Sequence, residues 1–266
     1  MSERAGLVAV PGFPFPVQAS SGLEERAKEL AGRCARAYAL LGHALAVEPE
    51  VAVLVLSEGD WPGAGLPYGM PHYAAGHLVL AGGSSHFWRS FVPLLAQAPP
   101  EDYARALEVY GPELELEPFF DLLAVHELGH AFHGQSHSRF TRRWLEETFA
   151  NVCLHAYVAE VEPALLAVLQ TFPDVLTTID SNIFAHRSLA AFEAVYSSMD
   201  PRNYAWYQCH FHVAARRVYD AGGIAALQRF WRRFVLSDDE LGQVLASDVH
   251  PELGATLTGW PARSET

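Results

Sequence analysis

The sequence predicts an α+β fold: a small mixed sheet with helices in residues 1–117 and a mostly helical half in residues 118–266. Three observations carry this. Val51 to Leu56 is an unbroken apolar run, rich in valine and of strand length, as expected of a strand buried on both faces. Residues 75–81 give a second strand-like run. Beyond residue 118, apolar residues recur at helical spacing almost to the end of the chain. Half of the 266 residues are hydrophobic, enough to bury the core of one large domain or two small lobes.

Taken in order, residues 7–19 read as extended, because Pro11, Pro14 and Pro16 forbid a helix. Ser20, Ser21 and Gly22 offer an N-cap to a long helix over 23–45, rich in Ala, Leu, Glu and Arg. Residues 57–72 carry four Gly and three Pro and read as a loop between the two strands. Residues 84–97 and 101–110 read as helices, the first interrupted near Pro93. Pro118 then suits the first turn of a strongly apolar helix that Gly134 can end. A polar, turn-like GQSHSRFTRR follows, and then a helix through Trp144 that stops before Pro163. Further helices are expected at 161–171, 185–196, 203–219, 223–234 and 238–246, with a polar, loose C-terminus.

The chemistry centres on His126-Glu-Leu-Gly-His130. Residues i and i+4 of a helix share a face, so both imidazoles can reach one ion. Glu127 beside them can take a proton from water held there. A catalytic zinc site needs a third protein ligand and an open position. Glu147 is the foremost candidate: a helix, a turn and an antiparallel helix bring it back to the two histidines. His137 is the competing third ligand.

HELGHAFHG followed by Trp144-Leu-Glu-Glu147-Thr-Phe-Ala150 resembles the gluzincin metallopeptidases, in particular their aminopeptidase branch. The likeness covers about thirty residues. Sixteen residues separate His130 from Glu147 where that family has eighteen, and Thr148 stands where it has Gly. The resemblance implies a zincin-like fold, with the HELGH helix at the junction of the halves and one zinc ion per chain on His126, His130 and Glu147. It implies Glu127 as general base and an edge strand, here within 73–81, that pairs with an extended substrate. It also implies Asn151 as support for the site, since thermolysin-like relatives hold there an Asp bonded to a ligand His. A Tyr or His from the C-terminal half should stabilise the oxyanion. Tyr204, at a helix start, is the first choice, with Tyr207 and His210 as alternatives. Metzincins set their third His six residues after the second, where Ser136 stands, and want Gly where His133 stands; Ser197-Ser198-Met199 resembles their Met-turn only weakly. Gly69-Met70-Pro71-His72 lacks the carboxylate with which aminopeptidases hold a free amine, and Glu146 stands where they have Asn.

Composition narrows the partners. A net charge of −13 argues against nucleic acid. No apolar run is long enough to span a membrane or to serve as a signal peptide, so a cytoplasmic setting is expected. Cys34, Cys153 and Cys209 read as buried free thiols. His72, His77 and His86 have no metal-ligand spacing and read as surface or structural residues. Two functional expectations follow. One is a zinc-dependent peptidase acting on peptide or protein substrates. The other is a catalytically silent, gluzincin-like binding module, against which an intact Glu127 argues.

Overall fold

The computed structural model describes residues 6–62, 66–135, 140–232 and 241–260. Among these, five strands form one mixed sheet in the order β1-β2-β3-β5-β4. Strands β1 (Leu7–Ala9) and β2 (Val17–Ser20) pair antiparallel on either side of the proline-rich segment that the sequence presents as one extended stretch. β3 (Ala52–Leu56) runs parallel to β2, and β5 (His77–Ala81) runs parallel to β3. β4 (His72–Ala74) forms the far edge, antiparallel to β5. Central β3 is buried on both faces: Val53 and Val55 enter the main core, while Leu54 and Leu56 pack with Val79 beneath Leu7 and Trp61. Two buried faces are the reason this strand reads as a continuous apolar run and does not alternate.

Helix α1 (Glu24–Leu45) connects β2 to β3 and buries Ala27, Leu30, Ala31, Cys34, Ala37 and Leu41, a stripe at helical spacing. Two single-turn helices, α2 (His86–Arg89) and α3 (Val92–Leu95), replace the one helix expected over 84–97. The break expected near Pro93 falls at residues 90 and 91, and Pro93 itself lies in the first turn of α3, where its missing N–H costs nothing. After α4 (Pro100–Tyr110) come the two helices that matter most, α5 (Glu117–Gly134) and α6 (Arg143–Val161). α7 (Leu166–Leu176) begins after a 3-10 turn at Pro163 and runs through Pro173, later at both ends than the expected 161–171. α8 (Leu189–Val195) is capped by the Ser188 hydroxyl, which accepts from the Ala191 N–H. α9 (Pro201–Trp231) is two helical stretches joined at Gly223, whose φ of 55° and ψ of −155° are open essentially to glycine alone. α10 (Leu241–Val244) and α11 (Pro251–Thr258) close the described chain.

The two halves are not separate bodies. One hydrophobic core runs from Val10 near the N-terminus to Trp260, and α1 packs on the sheet and also on α5, α6 and α9. Cys34 in α1, Cys153 in α6 and Cys209 in α9 are buried and unpaired within it. Among the described residues, no helix is long and apolar enough to cross a membrane.

Candidate metal centre

Helix α5 is apolar nearly all round and lies buried between the sheet and the helical half. That position sets its polar residues inside the molecule. The His126 and His130 Nε2 atoms face each other at 3.0 Å. Glu147 on α6 completes the triangle, its Oε2 lying 3.1 Å from His126 Nε2 and 3.4 Å from His130 Nε2. A tetrahedral ion with bonds of about 2.0–2.1 Å separates its ligand atoms by about 3.3 Å. The triangle fits that spacing. Glu127 is close as well, with a carboxylate oxygen within 4.8 Å of ligand atoms of both histidines. Glu147 sits at ligand spacing to both imidazoles at once.

The close crossing of α5 and α6 explains how Glu147 arrives. A Cβ on Gly129, inside HELGH, would lie 2.9 Å from the Cα of Ala150. Only glycine at that point lets the two backbones come this near. Glu147 is then held from three sides. The Tyr196 hydroxyl donates to its Oε1 at 2.6 Å, and Gln208 Nε2 donates to its Oε2 at 2.7 Å. Burial opposes its charge, yet the His130 and His126 imidazoles hold its carboxyl well below the usual range. The neighbouring Glu146 lies 3.5 Å from His130 Nδ1 and 3.3 Å from His133 Nδ1. Here too burial opposes the charge, but hydrogen bonds from the two histidines bring the Glu146 carboxyl down to about 2. With Nδ1 of His130 turned to a carboxylate, its Nε2 lone pair is left for the triangle, the arrangement usual for a metal-bound imidazole. His126 differs: its Nδ1 is buried with no hydrogen-bond partner among the described residues.

The donor set itself favours a cation. Two imidazole nitrogens and an ionised carboxylate oxygen converge on one point. Two nitrogens and one oxygen are a suitable set for zinc or a similar transition metal.

Glu127 faces the same space, and burial pushes its carboxyl above the ordinary range. Its Oε2 accepts a 2.9 Å hydrogen bond from the backbone N–H of Tyr73 on edge strand β4. Gln135, just past α5, ties the same region together: it bonds to both backbone groups of Glu50 and donates to the Tyr73 hydroxyl. Tyr204 and Asn151 line one cavity with His126 and Glu127. Burial and the nearby Glu147 raise the Tyr204 phenol well above its ordinary range.

Two expected alternatives point elsewhere. The Tyr207 hydroxyl donates to Ser188 O at 2.7 Å and its ring stacks on Trp260; His210 packs against Trp206 and Trp260. Neither lines the cavity. Asn151 does not turn to a ligand imidazole; its Nδ2 donates to Glu147 O at 3.0 Å and to Gln208 Oε1 at 3.1 Å. His137 and Ser136 lie outside the described residues. Tyr196, Gln208 and the orienting role of Glu146 are absent from the sequence reading. Only Glu146 left a signal, as the first of two adjacent acids on a helix facing HELGH.

No protein-family model matches this chain, and neither a curated protein nor a solved structure was found to match it.

Proposed function

We propose that this protein is a zinc-dependent peptidase of gluzincin type, with the metal held by His126, His130 and Glu147 and with Glu127 as general base. The observation that carries the reading is the triangle of two Nε2 atoms and one carboxylate oxygen, with Glu127 and Tyr204 facing the cavity it opens on. Bound zinc would lower the pKa of water toward neutrality and polarise a carbonyl oxygen. The chain's own residues do the rest. Glu127 takes the proton of the attacking water and returns it to the leaving amine. Glu146 fixes the His130 ring, and Tyr196 and Gln208 fix the Glu147 carboxylate. Tyr204 brings a neutral, buried hydroxyl to the cavity, suited to donate to an oxyanion. Edge strand β4 lies beside Glu127, where an extended peptide can add as a further strand. Three buried free thiols suit a reducing, cytoplasmic compartment.

The deciding experiment is Glu127→Gln. The variant should keep fold and zinc, as read by circular dichroism and metal analysis, yet lose hydrolysis of a peptide library by several orders of magnitude. Wild type and variant equally inert toward that library, both with zinc bound, would transfer the protein to the binding-module reading.

A further inference from the structure

Glu147 has two carboxylate oxygens, and the structure treats them differently. Oε2 is the one that meets the triangle, 3.1 Å from His126 Nε2 and 3.4 Å from His130 Nε2, and it also accepts from Gln208 Nε2 at 2.7 Å. Oε1 is turned to Tyr196, whose hydroxyl lies 2.6 Å away. An ionised carboxylate only accepts, so the single proton of that phenol is committed to Oε1. Glu147 is 1% exposed, so water is a poor substitute for the donor.

The ring that carries the hydroxyl is held by contacts of its own. The Arg143 guanidinium carbon lies over it, 5.2 Å from the ring centroid. Phe192 and Tyr204 meet it edge to face, with centroids at 5.3 Å and 6.0 Å. Packing therefore aims the hydroxyl at Oε1, independently of the bond it makes there. The aim matters because a carboxylate can bind a cation through one oxygen or through both. A catalytic zinc centre has three protein ligands and an open position. A second oxygen from Glu147 would compete for that position, and the donor on Oε1 is what holds it back.

We propose that Tyr196 is a positioning residue: by holding Oε1 it keeps Glu147 a one-oxygen ligand and leaves a position at the metal open. This rests on the metal site of the peptidase reading, but it is measured by coordination and needs no turnover. Gln208 is the internal contrast. It grips Oε2, the oxygen that meets the histidines, and leaves Oε1 alone.

The test is Tyr196→Phe, which keeps the ring and its packing and removes only the hydroxyl. Full-length protein loaded with zinc is read by X-ray absorption. The same protein loaded with cobalt(II) is read by its visible spectrum, which is strong at a tetrahedral centre and weaker as further ligands are added. Wild type should hold about four ligand atoms. In the variant, Oε1 is buried without its donor, a costly state that contact with the metal relieves. The coordination number should rise by about one and the cobalt absorption should fall severalfold, with metal still bound. Gln208→Met should do the reverse: affinity about 10–100-fold weaker, as for loss of a supporting bond, with the coordination number kept. If Tyr196→Phe behaves like Gln208→Met, Tyr196 is an ordinary support and the proposal is overturned. A second measurement needs no variant: wild type in which both Glu147 oxygens are bound to the metal also overturns it. A rise in coordination number in Tyr196→Phe, with no peptide cleaved by the wild type, supports the role of Tyr196 and strikes the peptidase reading. Peptides cleaved by the wild type, with coordination unchanged in the variant, strike the role of Tyr196 alone.

Discussion

Helices α5 and α6 both supply residues of the candidate metal centre, but in different ways. α5 sets His126 and His130 one turn apart, and helical geometry alone brings their Nε2 atoms together at 3.0 Å. α6 supplies Glu147, whose place depends on contacts outside its own helix: the Gly129 crossing, the Tyr196 hydroxyl and the Gln208 amide. A ligand pair encoded in one turn survives much rearrangement around it. A ligand assembled from three elements is only as well placed as its supports.

The largest effect should come from removing the assembled ligand. Glu147→Ala should abolish stoichiometric zinc retention after dialysis, measured by metal analysis. Glu146→Ala, which frees the His130 ring and also removes the carboxylate beside His133 Nδ1, should weaken metal affinity about 10–100-fold. Equal zinc content in both variants would break the distinction between ligand and support. Tyr204→Phe comes next. Its turnover should fall about 100-fold, with zinc content and far-ultraviolet dichroism unchanged, because only the proposed donor to the oxyanion is lost.

Gly129→Ala sharpens the comparison at the crossing itself. The added methyl meets backbone, so α5 and α6 must part. Stability should fall by about 1–3 kcal/mol in urea titration. Zinc affinity should fall with it, while the His126–His130 offset stays intact. A variant of full stability would show that the crossing is looser than Gly129 implies.

The last effect lies outside the cavity and shows only as pH falls. Burial holds His210 at about 4, against an ordinary 6.5. The unfolded chain then takes up a proton at a pH where the folded one does not. Stability from the neutral imidazole is complete above pH 6.5 and is lost as pH falls toward 4, a change on the order of 3 kcal/mol. Comparison of His210→Gln with wild type by denaturant titration at pH 7.5, 5.5 and 4.5 should show a flatter slope for the variant. Equal slopes would mean that the Trp206 and Trp260 cage admits a charged ring.

What could be read from the sequence follows the same division. HELGH is a local pattern, and the valine-rich run of β3 announces its double burial. Glu147 was within reach because its helix has a legible sequence of its own. Tyr196 and Gln208 were not, since nothing local says that a 3-10 turn after α8 and the middle of α9 meet at one carboxylate. The alternatives on α9 failed for a geometric reason. At about 100° per residue, Gln208 and His212 lie about 40° and 80° round from Tyr204 in one direction. Tyr207 and His210 lie about 60° and 120° round in the other. Which side faces the cavity is decided by packing against α6, and the spacing of aromatics does not disclose it. The sheet was legible only at its centre: β1, β2 and β4 have three or four residues each, too few for a periodicity to register.

The three buried cysteines carry a consequence for how this molecule opens. Burial pushes the Cys34 thiol up to about 12 and the Cys153 thiol higher still, so neither forms the thiolate that alkylating reagents need. They sit in α1 and α6, and Cys209 lies in α9 on the cavity wall. Reagent reaches the first two only when their helices leave the core. The labelling rate at each site, resolved by mass spectrometry, is thus a separate clock for α1 and α6. Because both helices share one continuous core, those two clocks should run at one rate.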